Sequence, residues 1–172
     1  MKTTLIVFLL AFSLAFPVAV QLVPNEALAA QTDGTVYANA RFGFTVAVPP
    51  GHFSLIESDN GSGITVLYRN GMELRVYGSL NPMVFGTGCK DSFEEAKDLF
   101  DEVTYARLNE AKGWFVLSGY KDGTIRYLKQ FVGLQAANTA EMVYPKAKVK
   151  ELNAFVNDVV KSFAPGNLNT EN

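Results

Sequence analysis

Ile64-Thr65-Val66-Leu67-Tyr68-Arg69-Asn70-Gly71-Met72-Glu73-Leu74-Arg75-Val76-Tyr77 is the stretch that decides the fold class. Two runs rich in β-branched and aromatic residues flank Arg69-Asn70-Gly71, and Asn-Gly readily supplies the positive φ angles of a tight hairpin turn. The pattern returns downstream. Trp114-Phe115-Val116-Leu117-Ser118-Gly119-Tyr120 is followed by Lys121-Asp122-Gly123 and then by Ile125 to Leu134. Strands joined by such short turns cannot be parallel neighbours, because parallel pairing needs a long crossover. The sheet is therefore expected to be antiparallel.

Working outward, Arg41-Phe42-Gly43-Phe44-Thr45-Val46-Ala47-Val48 alternates well enough for a half-buried strand, ended by Pro49-Pro50-Gly51. Phe53 to Glu57 reads as a second short strand, closed by the turn-forming run Ser58-Asp59-Asn60-Gly61-Ser62-Gly63. Glu141-Met142-Val143-Tyr144 reads as the last strand, stopped by Pro145. A loop is expected from Gly78 to Lys90. Ser92 and Glu95 then have capping-box spacing for a helix start. Phe93, Ala96, Leu99, Phe100 and Val103 recur at helical steps, with Asp91, Glu94, Glu95, Asp98, Asp101 and Glu102 on the opposite face. A final helix, Val149 to Phe163, collects Leu152, Val156, Val159 and Val160 on one side. The expected class is α+β: an antiparallel β-sheet flanked by two amphipathic helices.

The amino terminus reads differently. Lys2, an uncharged apolar run and Ala27-Leu28-Ala29 have the layout of an export signal, with small residues at −3 and −1 of a cleavage site. The run is long enough to rival a membrane span of roughly 20 residues. Pro17, Gln21 and Pro24-Asn25-Glu26 nevertheless favour cleavage, before Ala30 or at the Ala30/Gln31 bond. A retained anchor would also carry more cytoplasmic Lys or Arg than Lys2 alone. The expected layout is a cleaved signal over 1–29, a flexible leader over 30–36, one domain over 37–164 and a disordered tail over 165–172. The expected location is periplasmic or secreted, without stable membrane insertion after cleavage. The only cysteine, Cys89, rules out a lipid attachment site near the signal and leaves stability to packing rather than to an internal disulfide. The formal net charge of −2 argues against nucleic acid, which demands a basic face.

Candidate chemistry is sparse. His52 and Cys89 are each unique, so a thiol–imidazole pair is the enzymatic alternative: a small thiol-dependent hydrolase. A helix start just after Cys89 could lower the thiol pKa, but no flanking signature supports a nucleophile. Asp59-Asn60-Gly61-Ser62 has ligand-type oxygens without the spaced acids of a calcium loop. The six helix carboxylates read as a solvated face that suits the helix dipole. Lys146, Lys148, Lys150 and Lys161 make a modest basic cluster around the last helix. Phe42, Phe44, Phe53, Trp114, Phe115, Tyr120, Tyr127, Phe131 and Tyr144 fall in or beside strands, where core is the default and a minority could line a groove. No zinc spacing, phosphate-binding glycine loop, GxSxG or HExxH motif is present. No catalytic, cofactor or metal residue is assigned, and no cofactor is expected.

Taken in order, Tyr37-Ala-Asn-Ala-Arg-Phe-Gly-Phe-Thr-Val-Ala-Val-Pro49, Ser118-Gly-Tyr-Lys-Asp-Gly123, Met142-Val-Tyr-Pro145 and the closing Lys161-Ser-Phe163 resemble the PsbP-like family of α/β/α sandwich proteins. Those phrases are short and structural, and they span most of the chain after the signal. The family includes extrinsic photosystem subunits, and the resemblance implies the fold and a bias towards non-enzymatic docking. It carries over no functional residue. The expected function is an exported, non-catalytic binding or accessory domain that docks to an envelope protein or a small ligand.

Overall fold

In the computed structural model, residues 34–81 and 88–169 are described. The signal segment and most of the leader, 1–33, and the last three residues therefore lie outside the described residues.

The deciding hairpin forms as β4 (Gly63–Tyr68) and β5 (Glu73–Leu80), with Val66 opposite Leu74 and Ile64 opposite Val76. Only Gly71 carries a positive φ there (85°), and the Asn70 side chain accepts the Met72 N–H at 3.0 Å. The loop thus has three residues and ends on a left-handed glycine. The second hairpin joins β7 (Trp114–Lys121) to β8 (Thr124–Val132) through Asp122 and Gly123, both at positive φ, as a two-residue turn requires.

Around these lie β3 (His52–Glu57), β6 (Glu102–Asn109) and β9 (Ala136–Pro145), giving a seven-stranded antiparallel sheet in the order β3-β4-β5-β9-β8-β7-β6. β1 (Thr35–Ala38) and β2 (Thr45–Val48) form a separate two-stranded sheet. Two α-helices complete the described residues, α1 (Cys89–Lys97) and α2 (Val149–Ser162). The class is α+β with an antiparallel sheet, as the hairpins imply.

Each sheet face has its own core. On one, Leu152, Val156 and Val159 of α2 pack with Val46 and Val48 of β2 onto Val66, Leu74 and Met142. Burying one such side chain contributes about 1.5–3 kcal/mol, so this layer holds β1–β2 and α2 to the sheet. On the other face, Phe93 of α1 packs on Phe115, Leu117 and Leu128. Coverage is partial: α1 lies mainly over β6, β7 and β8, and α2 shares its face with the β1–β2 hairpin.

Several expectations are corrected. The capping box at Ser92 does not form. The helix starts at Cys89, and Gly88 is its N-cap. It ends at Lys97, so Leu99, Phe100 and Val103 are not helical. Arg126 Nη1 donates to the Leu99 carbonyl (3.1 Å), and Asp101 accepts from Lys121 Nζ (2.8 Å) and the Asp122 N–H (2.9 Å). These contacts hold the chain in a turn, and Phe100 is buried there. Asp101 and Glu102 accordingly leave the acidic helix face. β9 begins at Ala136 rather than Glu141. As the central strand it is buried on both faces and shows no alternation. The tail read as disordered is in place through Asn169. The Gly166 N–H donates to Asn138 Oδ1 (3.0 Å), the Gln135 N–H donates to the Leu168 carbonyl (2.9 Å), and Leu168 is buried.

Candidate functional site

The thiol and the imidazole do not meet. His52 pairs with Tyr68 on edge strand β3, and its ring lies edge-on to the Tyr68 ring in the α2-side layer. Cys89 packs with Phe115, Leu117 and Leu128 under α1, on the opposite face. Four strand steps separate β3 from β8, about 19 Å at the usual spacing. Burial, and then the charge of Glu110, push the Cys89 thiol up from its ordinary value, against the helix-dipole expectation. A nucleophile needs the reverse. The thiol-hydrolase alternative has no geometric support.

The other candidates resolve into structural parts. Oxygens of the Asp59–Ser62 turn are engaged by protein donors. Arg41 Nη1 donates to the Asn60 carbonyl (2.7 Å), Asn39 Nδ2 to the Gly61 carbonyl (3.0 Å), and the Ser62 N–H to Asn60 Oδ1 (3.0 Å). Among the described residues no group of three or more His, Cys, Asp or Glu side chains converges as a metal site. The four lysines form no single patch. Lys146 lies over the Tyr120 ring at 4.4 Å and Lys148 pairs with Glu151 at 2.7 Å. Lys161 sits about 16 Å along the helix from Lys150.

The aromatics divide instructively. Phe42, Phe44, Phe115 and Tyr144 are buried, and Phe53 is exposed on β3. Trp114, Tyr127 and Phe131 are half-buried and share one groove. It lies where α2 leaves the β6–β7–β8 end of the sheet uncovered, and Tyr105, Arg107, Val116, Lys129 and Val160 complete its lining. Its volume is about 370 Å³. Strand alternation explains the composition. Tyr105 and Arg107 of β6, Trp114 and Val116 of β7, and Tyr127, Lys129 and Phe131 of β8 all point to the same face.

Two cations frame this groove. Arg107 lies over the Trp114 ring, 5.3 Å from its centroid, a diagonal cross-strand contact. Lys129 Nζ donates to the Val160 carbonyl at 2.8 Å and lies over the Phe131 ring at 4.8 Å. A cation at the carboxyl end of α2 also suits the helix dipole. Burial holds the Lys129 pKa below its ordinary value. The Tyr127 phenol is pushed up to about 12 by burial first and by the neighbouring Tyr105 and Tyr144 phenols second. It is therefore a neutral donor at physiological pH. No carboxylate lines the groove. The arrangement can hold an apolar body and an anion. It contains no nucleophile–base pair.

Tyr105 and Arg107 were missing from the sequence-derived candidates because β6 was not recognised. The signal for it was Val103-Thr104-Tyr105, a β-branched and aromatic run that favours strand.

A larger cavity, about 780 Å³, borders Cys89, Glu110, Lys112 and the Gly166–Asn169 segment. It adjoins the passage from Asn81 to Gly88, whose intervening residues lie outside the described ones.

No family model matches the sequence, and no curated protein matches it. Solved structures do match. The solution structure of cyanobacterial PsbP (CyanoP) from Synechocystis sp. PCC 6803 aligns over 80% of this chain and 95% of its own, with TM-score 0.56 and 12% sequence identity. The fold is PsbP-like. A protein from Bacteroides thetaiotaomicron aligns more loosely, over 78% of this chain and 48% of its own, at TM-score 0.45 and 13% identity. The PsbP-like likeness extends to architecture. The groove between α2 and β6–β8 is a feature of this chain's own residues. Among the described residues no helix is long and apolar enough to cross a membrane.

Proposed function

We propose that this protein is an exported, non-catalytic binding or accessory domain that acts by docking through the groove between α2 and β6–β8. The observation that carries the reading is the half-open aromatic surface of Tyr105, Trp114, Tyr127 and Phe131, framed by Arg107 and Lys129. Aromatic rings left part-exposed around a concave site are the usual composition of binding surfaces. The PsbP-like fold, read as an incomplete α/β/α sandwich, and the signal-like amino terminus support an accessory role in the periplasm or outside the cell. The partner is an envelope protein or a small ligand.

The test is a chemical-shift map. Isotope-labelled protein from Ala30 onward is titrated with fractionated envelope extract and with a small-molecule library. Shifts confined to Tyr105, Arg107, Trp114, Tyr127 and their neighbours are expected, and V160W, which fills the groove, should abolish them. Perturbations centred elsewhere, or unchanged in V160W, would overturn the reading.

A further inference from the structure

We propose that the groove binds a small organic anion: an apolar, aromatic or aliphatic body carrying one carboxylate or sulfonate, with the anionic group on Arg107. The inference rests on the groove being the docking site, and goes further by naming the chemical class that fits it.

Charge complementarity carries the argument. Two cations and no carboxylate line the groove of a chain whose net charge is −2. Arg107 is exposed and has neither an ion-pair nor a hydrogen-bond partner among the described residues; its guanidinium lies over the Trp114 ring. Its guanidinium N–H groups are therefore available, and their fork matches a carboxylate or sulfonate. Lys129 is differently placed. Its donors go to the α2 carbonyls, so it contributes charge rather than a free bond.

The remaining wall selects the body of the ligand. Val116, Val160, Phe131 and the Tyr127 ring present an apolar surface. The volume, about 370 Å³, lies in the small-ligand range. Aromatic rings alone would also suit a quaternary ammonium group. Here Arg107 and Lys129 already lie against two of the rings and would repel a second cation. An anion with an apolar body satisfies both halves of the site.

Trp114 is the sole tryptophan, so its emission reports from this groove. The probes are anilinonaphthalene sulfonate and phenylnaphthylamine, the same ring system with and without the sulfonate. Energy transfer from Trp114 to the sulfonate dye should saturate, with affinity at least about tenfold above the neutral dye's. R107Q alters an exposed side chain that the fold does not need. It should weaken the sulfonate dye about tenfold and leave the neutral dye unchanged. Equal or tighter binding of the neutral dye would overturn the anion assignment while leaving the docking reading intact. Absence of saturable transfer from both dyes would also overturn it, and the shift map then decides the docking reading separately. Sulfonate binding indifferent to both R107Q and V160W would place the dye elsewhere and overturn the assignment.

Discussion

Glu141→Gln should destabilise the protein by about 3 kcal/mol, although it changes neither the size nor the shape of the side chain. Glu141 is 6% exposed on the central strand β9, and its carboxylate is shared between two guanidinium groups. Arg126 Nε lies 3.0 Å from Oε1 and Arg75 Nη1 lies 3.7 Å from Oε2. The first contact is an ion pair whose N–H is not aligned for a hydrogen bond, so Coulomb attraction outweighs bond geometry there. At an effective dielectric of about 20, the gross attractions are about 5.5 and 4.5 kcal/mol. Desolvation removes most of that. Removing one partner of a buried pair still costs about 3–5 kcal/mol, because it leaves a charge uncompensated. Arg75 is half-exposed and also pairs with Glu73, so water and Glu73 recover its share. Arg126 is not so placed, and Gln keeps a single neutral acceptor where the carboxylate offered two charged ones, so its NH2 would face one of the two guanidinium groups. The lower end of the range is the expected value.

Urea unfolding followed by Trp114 emission measures it. With a slope near 2 kcal/mol/M, the midpoint should fall by about 1.5 M. The sharper check is R126M combined with E141M, which removes both charges and fills the space with apolar atoms. If the penalty comes from an orphaned guanidinium, this double variant should be more stable than E141Q, losing mainly the Arg126 bond to the Leu99 carbonyl. A double variant less stable than E141Q, or an E141Q loss below about 0.5 kcal/mol, would refute the reasoning.

Two further outcomes test other parts of the structure. Gly78→Ala should cost about 2–3 kcal/mol in the same assay, since its Cβ would lie 2.1 Å from Phe42 Cγ in a closed core, and in an F42A background the same change should cost little. A large penalty that persists in F42A would show that the ring is not the obstacle. The Cys89 thiol should react with a disulfide reagent at pH 7 much more slowly than a free thiol, and its rate should go on climbing with pH beyond the point where a free thiol's rate levels off, because burial and the charge of Glu110 raise the folded pKa. The sign is that of a group held protonated: its contribution to stability is present below the ordinary pKa and lost as pH rises through the folded one. Fast labelling of the native protein at neutral pH would contradict this.

The hairpins were legible because their turns leave little choice. Asp122-Gly123 needs positive φ at both positions, and alternation on either side then sets the register. α2 was legible for a similar reason, since its apolar stripe is long and faces one layer. β9 was harder. Its first half, Ala136-Ala137-Asn138-Thr139-Ala140, is small and polar, yet it is fully buried between β5 and β8. Those residues are small because both faces are covered. Phe42 lies against Gly78 of neighbouring β5, and Asn138 accepts the N–H of Gly166. A local window sees only weak strand formers there. The reason for strand lies in residues distant along the chain.

The same limit explains the groove. Trp114, Tyr127 and Phe131 were singled out as aromatics beside strands, but periodicity alone could not say which face of the sheet would stay uncovered. That depends on where α2 stops, and Ser162 and Lys129 help set the stop. Ser162 Oγ accepts the Ala47 N–H at 3.0 Å, and Lys129 bonds the carbonyl of Val160. It also depends on β6, which helical spacing had partly absorbed into α1. The apolar steps from Phe93 to Val103 fit a helix, yet Phe100 is buried in a turn and Val103 lies in β6, which has a register shift at Val103/Tyr105. That shift puts Tyr105 opposite Ser118 and Arg107 opposite Val116. Arg107 thereby comes within reach of Trp114 on the groove side. Pairing Thr104 in regular register would instead put Arg107 opposite Phe115, on the α1 face, so the bulge at Thr104 is what lets the guanidinium frame the groove. Deleting Thr104, the residue without a cross-strand partner, should straighten β6 and leave Arg107 opposite Val116, so the anion preference should persist; its loss in a folded variant would show that the register had slipped.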